Sequence, residues 1–233
     1  MVVTILCVTF TGTPATRPHR AFDAGGGGLP LGNMSVRPNT TRLPAAERRQ
    51  QLLDVALESF SQQGFSQTSM NDIAEAAGVT KPVLYQHFGS KRDLFLELLR
   101  ELGGRLREEV GKATAEAAGP RQQVENGMTA YFRWVESHRA GFEILFDGET
   151  RRDREFLAEA AKVEHDIADA IASLIVVDGL DRERQRLLAY GIVGMSERTC
   201  RYWLSRQVDL TPHELAIQVA DLAWAGLRGL RPV

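Results

Sequence analysis

From Pro44 onward, apolar residues recur at helical spacing. Leu53, Ala56, Leu57 and Phe60 share one face, with Arg48, Arg49 and Glu58 off it, so a first helix is expected to run to Gly64. Met70, Ile73, Ala74 and Ala77 mark a short second helix, opened by Ser69 with Asp72 as its capping-box partner and closed by Gly78. A third helix is expected to start at Thr80, a good N-cap, with Pro82 tolerated in a first turn that has no backbone partner to lose. Leu84 and Phe88 form its buried edge. After the break at Gly89-Ser90, where Ser90 and Asp93 pair as another cap, Leu94, Phe95, Leu98, Leu99, Leu102, Leu106 and Val110 predict a long helix that Gly119-Pro120 closes. Further helices are predicted over roughly 121–138, 139–147, 151–176, 181–206 and 212–228. The one β-branched run, Ser173 to Val177, ends a helical stretch at Asp178-Gly179. The expected fold is all-α: an N-terminal domain of three short helices followed by a C-terminal helical bundle.

Residues 1–44 break this pattern. The apolar run Val2 to Phe10 falls short of the about 20 residues that cross a bilayer, and no cation precedes it as in a signal peptide. Thr, Pro, Arg and the run Gly25-Gly26-Gly27-Gly28 then read as a flexible arm, because a phosphate loop would need a Lys-Ser/Thr ending and an apolar strand before it. Met34 opens a better-behaved segment, so residues 1–33 are expected to be an extension outside the functional protein. The chain is thus expected to divide into an extension (1–44), a three-helix domain (45–90) and a helical bundle (91–233).

Composition changes this picture little. With 233 residues, 43% of them apolar, the chain can bury a real core in two joined helical domains. A formal charge of -2 gives no global sign of nucleic-acid binding, so any DNA contact must come from locally placed cations. Cys7 and Cys200 are the only cysteines and have neither metal-site nor disulfide-framework spacing, which fits a reducing cytoplasm. No cofactor, metal or membrane partner is expected.

Three short helices with a glycine turn before the third are what holds one helix proud of a surface, free to enter a major groove about 12 Å wide. Its outward residues would be Thr80, Lys81, Pro82, Tyr85, Gln86 and His87, rich in donors and acceptors and poor in charge. The string from Thr68 to Phe88, with its Ala-Gly-Val turn, Leu84-Tyr85, Phe88 and the following Lys91, closely resembles the DNA-binding motif of the TetR family. The resemblance covers about a fifth of the chain and implies operator double-stranded DNA as partner.

Under that resemblance Thr68 and Ser69 offer hydroxyl and N–H groups to a phosphate at the second helix's start. Tyr85 and His87 hydrogen-bond the backbone beside the groove, and Lys91 pairs with another phosphate. Lys81 and Gln86 read base edges, and Thr80 and Pro82 pack on a thymine methyl. Taken alone, Tyr85 and His87 also suit half-buried packing. Arg37 and Arg42 are positioned for a minor groove or for plain solvation.

The C-terminal half resembles the family's effector and dimerisation region, and more narrowly its acyl-CoA-responsive lipid regulators. Met128, Tyr131, Phe132, Phe142, Phe146, Met195 and Trp203 are the expected wall of a site for a small apolar effector, although apolar stripes of this kind are more often simply core. Arg198 or Arg201 would meet the ligand's polar end. Small residues around Gly191 to Ser196 and Ala223 to Gly226 suit close helix approach, either in a homodimer interface or at a cavity wall.

An enzyme is not expected. The five histidines, His19, His87, His138, His165 and His213, never fall at metal-ligand spacing. Glu164-His165-Asp166 cannot converge on one substrate, because helical neighbours point about 100° apart. The expected function is a homodimeric repressor on a palindromic operator, released or strengthened by an effector that tilts the long helix. The alternative is a helical interaction module that no longer binds DNA, which a damaged recognition helix would reveal.

Overall fold

A computed structural model describes residues 43–146, 150, 152–177 and 179–229. The expectations for the arm, for Arg37, Arg42 and Cys7, and for an extension ending before Met34 lie outside the described residues. Among those described, nine helices form and no strand does: α1 (Ala45–Gln67), α2 (Met70–Ala76), α3 (Lys81–His87), α4 (Lys91–Ala115), α5 (Pro120–Ser137), α6 (Arg139–Phe146), α7 (Arg154–Leu174), α8 (Arg182–Arg206) and α9 (Pro212–Arg228).

The starts and stops follow local chemistry. α1 breaks at Gly64, whose φ is 78°, and a last turn carries the chain to Gln67. Ser69 and Asp72 cap α2 reciprocally, with Ser69 Oγ accepting from Asp72 N at 3.2 Å and Ser69 N donating to Asp72 Oδ2 at 2.9 Å. Such a cap contributes about 1 kcal/mol. Gly78 turns the chain toward α3 with φ at 65°, the left-handed region where a side chain is strained. Thr80 stands at the N-cap of α3 as expected, but its hydroxyl makes no capping bond. Ser90 Oγ accepts from Asp93 N at 3.0 Å to open α4. Later helices begin on capping side chains at Asp153, Asp181 and Thr211.

One buried cluster runs from Leu52 in α1 to Ala223 in α9, so the three-helix head and the bundle share a core. Their junction is aromatic. Phe60 and Phe65 of α1, Phe95 of α4 and Phe156 of α7 meet with ring centroids 4.5 to 5.9 Å apart. α4 and α7 approach closely because Gly103 has no side chain; a Cβ there would lie 2.4 Å from Val163 Cγ2. Arg92 ties the same helices at one end, donating to Asp153 at 2.7 Å and to Glu155. Arg100 donates to the mostly buried carboxylate of Glu159 at 3.1 Å.

Candidate nucleic-acid interface and bundle cavity

α3 is attached to the head through a narrow edge. Leu84 is fully buried and Phe88 nearly so, while Thr80, Lys81, Pro82, Tyr85 and Gln86 are exposed and His87 is half-buried. Tyr85 is 43% exposed, a large aromatic left facing solvent. The Lys81 ammonium lies 6.0 Å from the centre of its ring. Behind this ridge, Arg49 of α1 stacks over the Phe88 ring at 4.5 Å and pairs with Glu97 of α4 at 2.9 Å, fixing α3 against two longer helices.

Three expected contacts change character. Thr68 is 1% exposed; its hydroxyl donates to Gly64 O at 2.8 Å and its N–H is bonded to the same carbonyl. With both donors turned inward, it is a helix-end residue and leaves the contact set. Ser69 is exposed, but its N–H belongs to Asp72 and its hydroxyl faces the same carboxyl, so a phosphate would have to draw the hydroxyl proton away from Asp72. The Ser69 N–H first, and its hydroxyl second, hold the Asp72 carboxyl below its ordinary range. The Lys91 ammonium donates to Phe65 O at 2.7 Å, Thr68 O at 2.8 Å and Ser66 O at 3.4 Å, and sits 4.4 Å over the Phe65 ring. It closes the carbonyl end of α1, where the helix dipole favours a cation, instead of reaching outward. Nothing in the local spacing around Lys91 announced that the last turn of α1 would fold against it.

Inside the bundle, α4, α5, α7, α8 and α9 enclose a cavity of about 460 Å³, within the usual range for small-molecule sites. Its wall is mainly apolar. Of the residues expected there, Met128, Tyr131 and Phe146 line it; Phe132, Phe142, Met195 and Trp203 do not. Phe132 and Phe142 are fully buried core, Met195 packs against the same core from the α8 side, and the Trp203 indole donates to Leu210 O at 3.0 Å to fasten the α8–α9 turn. Periodicity placed all seven on buried faces without separating core from wall. The residues it missed are spread over five helices: Val110 of α4, Val124 of α5, Ile167 and Ile171 of α7, Ile192 and Val193 of α8, and Trp224 and Leu227 of α9. The β-branched run Ile175 to Val177 also lines the cavity, and was the one visible signal of an irregular wall.

The polar groups follow suit. The Tyr131 phenol donates to the Cys200 sulfur, and burial pushes that thiol up to about 12, so it stays protonated and inert. Arg201 lies off the cavity wall: it pairs with Glu197 at 2.8 Å and donates to Phe146 O. Arg198 stays exposed on the outer face of α8. The Glu164-His165-Asp166 trio diverges as expected, with Glu164 on the cavity wall, His165 Nδ1 2.9 Å from the Tyr190 hydroxyl and Asp166 paired with Arg107 at 3.5 Å. Among the described residues no group of three or more His, Cys, Asp or Glu could hold a metal, and no helix is long and apolar enough to cross a membrane.

A proud helix on a small capped head, joined to a bundle with an apolar interior, defines a helix-turn-helix regulator. Known proteins agree. The family described as "Bacterial regulatory proteins, tetR family" matches residues 52–98, and "Tetracyclin repressor-like, C-terminal domain" matches 120–226. The HTH-type transcriptional activator FasR of Mycolicibacterium smegmatis is 34% identical over 187 residues, spanning 80% of this chain and 85% of that protein. The chain belongs to the TetR family of DNA-binding transcriptional regulators. Among solved structures, a TetR-like regulator from Rhodococcus sp. RHA1 superposes with a TM-score of 0.65 at 29% identity, over 81% of this chain and all of the other. FadR from Bacillus subtilis, solved with stearoyl-CoA, has the same fold with a TM-score of 0.65 at 19% identity, over 78% of this chain and 99% of its own.

Proposed function

We propose that this regulator acts as a homodimer on a palindromic operator and represses by occupying it, and that an elongated apolar effector of the long-chain acyl-CoA class sets its affinity from the bundle cavity. The observation that carries the DNA reading is the exposed ridge of α3, buried only through Leu84 and Phe88. Lys81 and Gln86 reach base edges, Thr80 and Pro82 pack beside them, and Tyr85, His87 and the Ser69 hydroxyl grip phosphates. The head is residues 45–90 and the regulatory part 91–233, the division falling at the start of α4. An intact ridge argues against an interaction module that has lost DNA binding.

The dimer reading rests on the outer face of α8. Leu187 is 72% and Tyr202 62% exposed, with Gly191 and Gly194 between them in open space. A second copy packed there places two heads in successive major grooves about 34 Å apart. The effector reading rests on the cavity's size and apolar wall, and on a protein of the same fold solved with stearoyl-CoA. Ligand pressing on α7 acts on α4 through Phe156 and Arg92, next to the Lys91 that closes α1. Only a difference in affinity between the two arrangements changes DNA binding.

A second reading of sign, activation, is favoured by the name of the FasR relative, which matches over both domains. Operator selection from random DNA, followed by transcription from the selected site with and without stearoyl-CoA, tests all three parts. A two-fold symmetric site and a ligand-dependent change are expected. Absence of any selected sequence removes the DNA reading, and the direction of the transcriptional change decides between repression and activation.

A further inference from the structure

We propose that an anion with a long apolar chain lies in the bundle cavity with its head at the end furthest from the DNA-binding helices, where Arg228 and Gln123 hold it, and with its chain pointing inward. This rests on the effector reading above and adds the direction in which the ligand lies.

The path of the chain sets the two ends apart. α4 leaves the head at Lys91, and α7 runs beside it in the same direction, as the pairs Arg92–Asp153, Arg100–Glu159 and Arg107–Asp166 require. α5 returns against α4, with Asn126 Nδ2 donating to Ala113 O at 3.1 Å, and its first turn reaches α9 through Arg121 and Asp221 at 2.8 Å. The start of α5 and the last turns of α4, α7 and α9 therefore gather at the far end. The cavity opens there. Val176 is 86% and Leu174 38% exposed, an apolar rim left in water although both line the cavity. Phe146, on the α6 that packs against α1, and Met128 form the inner end, and both are buried.

Polar groups divide along the same axis. Among the described wall residues Arg228 is the only cation; it is exposed, and its guanidinium makes no hydrogen bond or ion pair. Gln123 across the mouth is half-buried with its amide equally uncommitted. A guanidinium fork beside an amide N–H suits a carboxylate or phosphate. The inner half offers an anion no such donor. The Ser196 hydroxyl is spent on Ile192 O at 2.8 Å, the Tyr131 phenol on the Cys200 sulfur, and both wall carboxylates, Glu164 and Glu197, stand in this half. A charged head pushed inward would lose its water without a partner, whereas an apolar chain meets Met128, Phe146 and Ile192.

The full chain and an Arg228→Glu variant are titrated with the fluorescent fatty acid cis-parinaric acid and with its neutral methyl ester. The variant is expected to bind the acid about tenfold more weakly, because a modest ion pair is lost and a like charge takes its place, and to bind the ester as the wild type does. Equal affinity of both chains for the acid overturns the assignment, and so does an equal loss for acid and ester, which would mean a change in wall shape. Bound probe is then displaced with stearic acid or stearoyl-CoA; a loss with either in the variant supports the site, the larger loss naming the head, and no loss with either overturns it. Wild-type protein that binds none of these probes removes the acyl effector itself. A second measurement needs no variant. Trp224 lies one turn before Arg228 on the cavity wall, so hexadecanoic acid brominated beside its carboxyl should quench tryptophan fluorescence more than the same acid brominated at its methyl end. The reverse order overturns the proposed direction while leaving the effector reading in place.

Discussion

The head and the bundle put their functional residues on opposite sides of their helices. In the head, α2 and α3 are seven residues each, and the side chains proposed to meet DNA lie outside, at Ser69 and along Thr80 to His87. In the bundle, α4 and α8 run to 25 residues each, and the wall that would meet a ligand faces inward, with contributions from Val110 to Arg228. An outward function needs one short element held firmly from behind. An inward one needs several long elements that agree on where not to fill space. The two are nonetheless bound into one body by a continuous core, so a change in one is felt in the other.

The largest effect expected is on that shared core. Leu84→Ala empties a fully buried site in the head and costs about 2–5 kcal/mol. The chain's three tryptophans, Trp134, Trp203 and Trp224, all lie in the bundle. Thermal unfolding followed by tryptophan fluorescence should therefore shift together with unfolding followed by circular dichroism. Separate transitions would split the body in two.

Next comes Gly103→Ala, which drives a methyl into Val163 and costs about 1–3 kcal/mol through overpacking. By spreading α4 from α7 it should also change operator affinity with no DNA contact touched. An unaltered gel-shift midpoint in the folded variant would rule out α4–α7 spacing as the route between regions.

Tyr85→Ala should weaken binding to every operator variant alike, while Gln86→Ala should lose about 1–3 kcal/mol of discrimination at one base position. Equal losses on all variants from Gln86→Ala would place it among the phosphate contacts. The smallest effect is acidic. Asp72, bonded by Ser69, and Asp153, held first by Arg92, both have carboxyls lowered in the folded chain. Their contribution is full above the unfolded carboxylate value of about 3.9 and is lost only as pH falls through the lower folded value. Stability from pH 7 to 5 should thus be indifferent to Asp72→Asn in its slope, and a changed slope there would point to another group.

Most of the architecture was legible because helical period, caps and glycines are local. The predicted helices near 121–138, 139–147, 181–206 and 212–228 end within a residue or two of α5, α6, α8 and α9. The predicted stretch 151–176 shortened at both ends, since Asp153 caps α7 and Ile175 leaves the helix to become cavity wall. The α3 ridge was legible for the same reason: exposure along a short helix follows from which edge is apolar. Lys91 was misread because its partners lie 23 to 26 residues back at the end of α1, and Thr68 because the kink at Gly64 turns both its donors onto the Gly64 carbonyl. Phe132, Phe142, Met195 and Trp203 were misread because an apolar residue is equally apolar beside a void or beside another side chain.

Order along the chain was enough to set the helices, the turn at Gly78, the outward face of α3 and membership of the TetR family. These depend on spacing within a few residues, which backbone geometry converts directly into a face. Packing in three dimensions decided which cation closes α1, which aromatics are filling and which are wall, and where the bundle keeps its cavity. Those outcomes depend on distances between helices far apart in sequence, and no local period carries them.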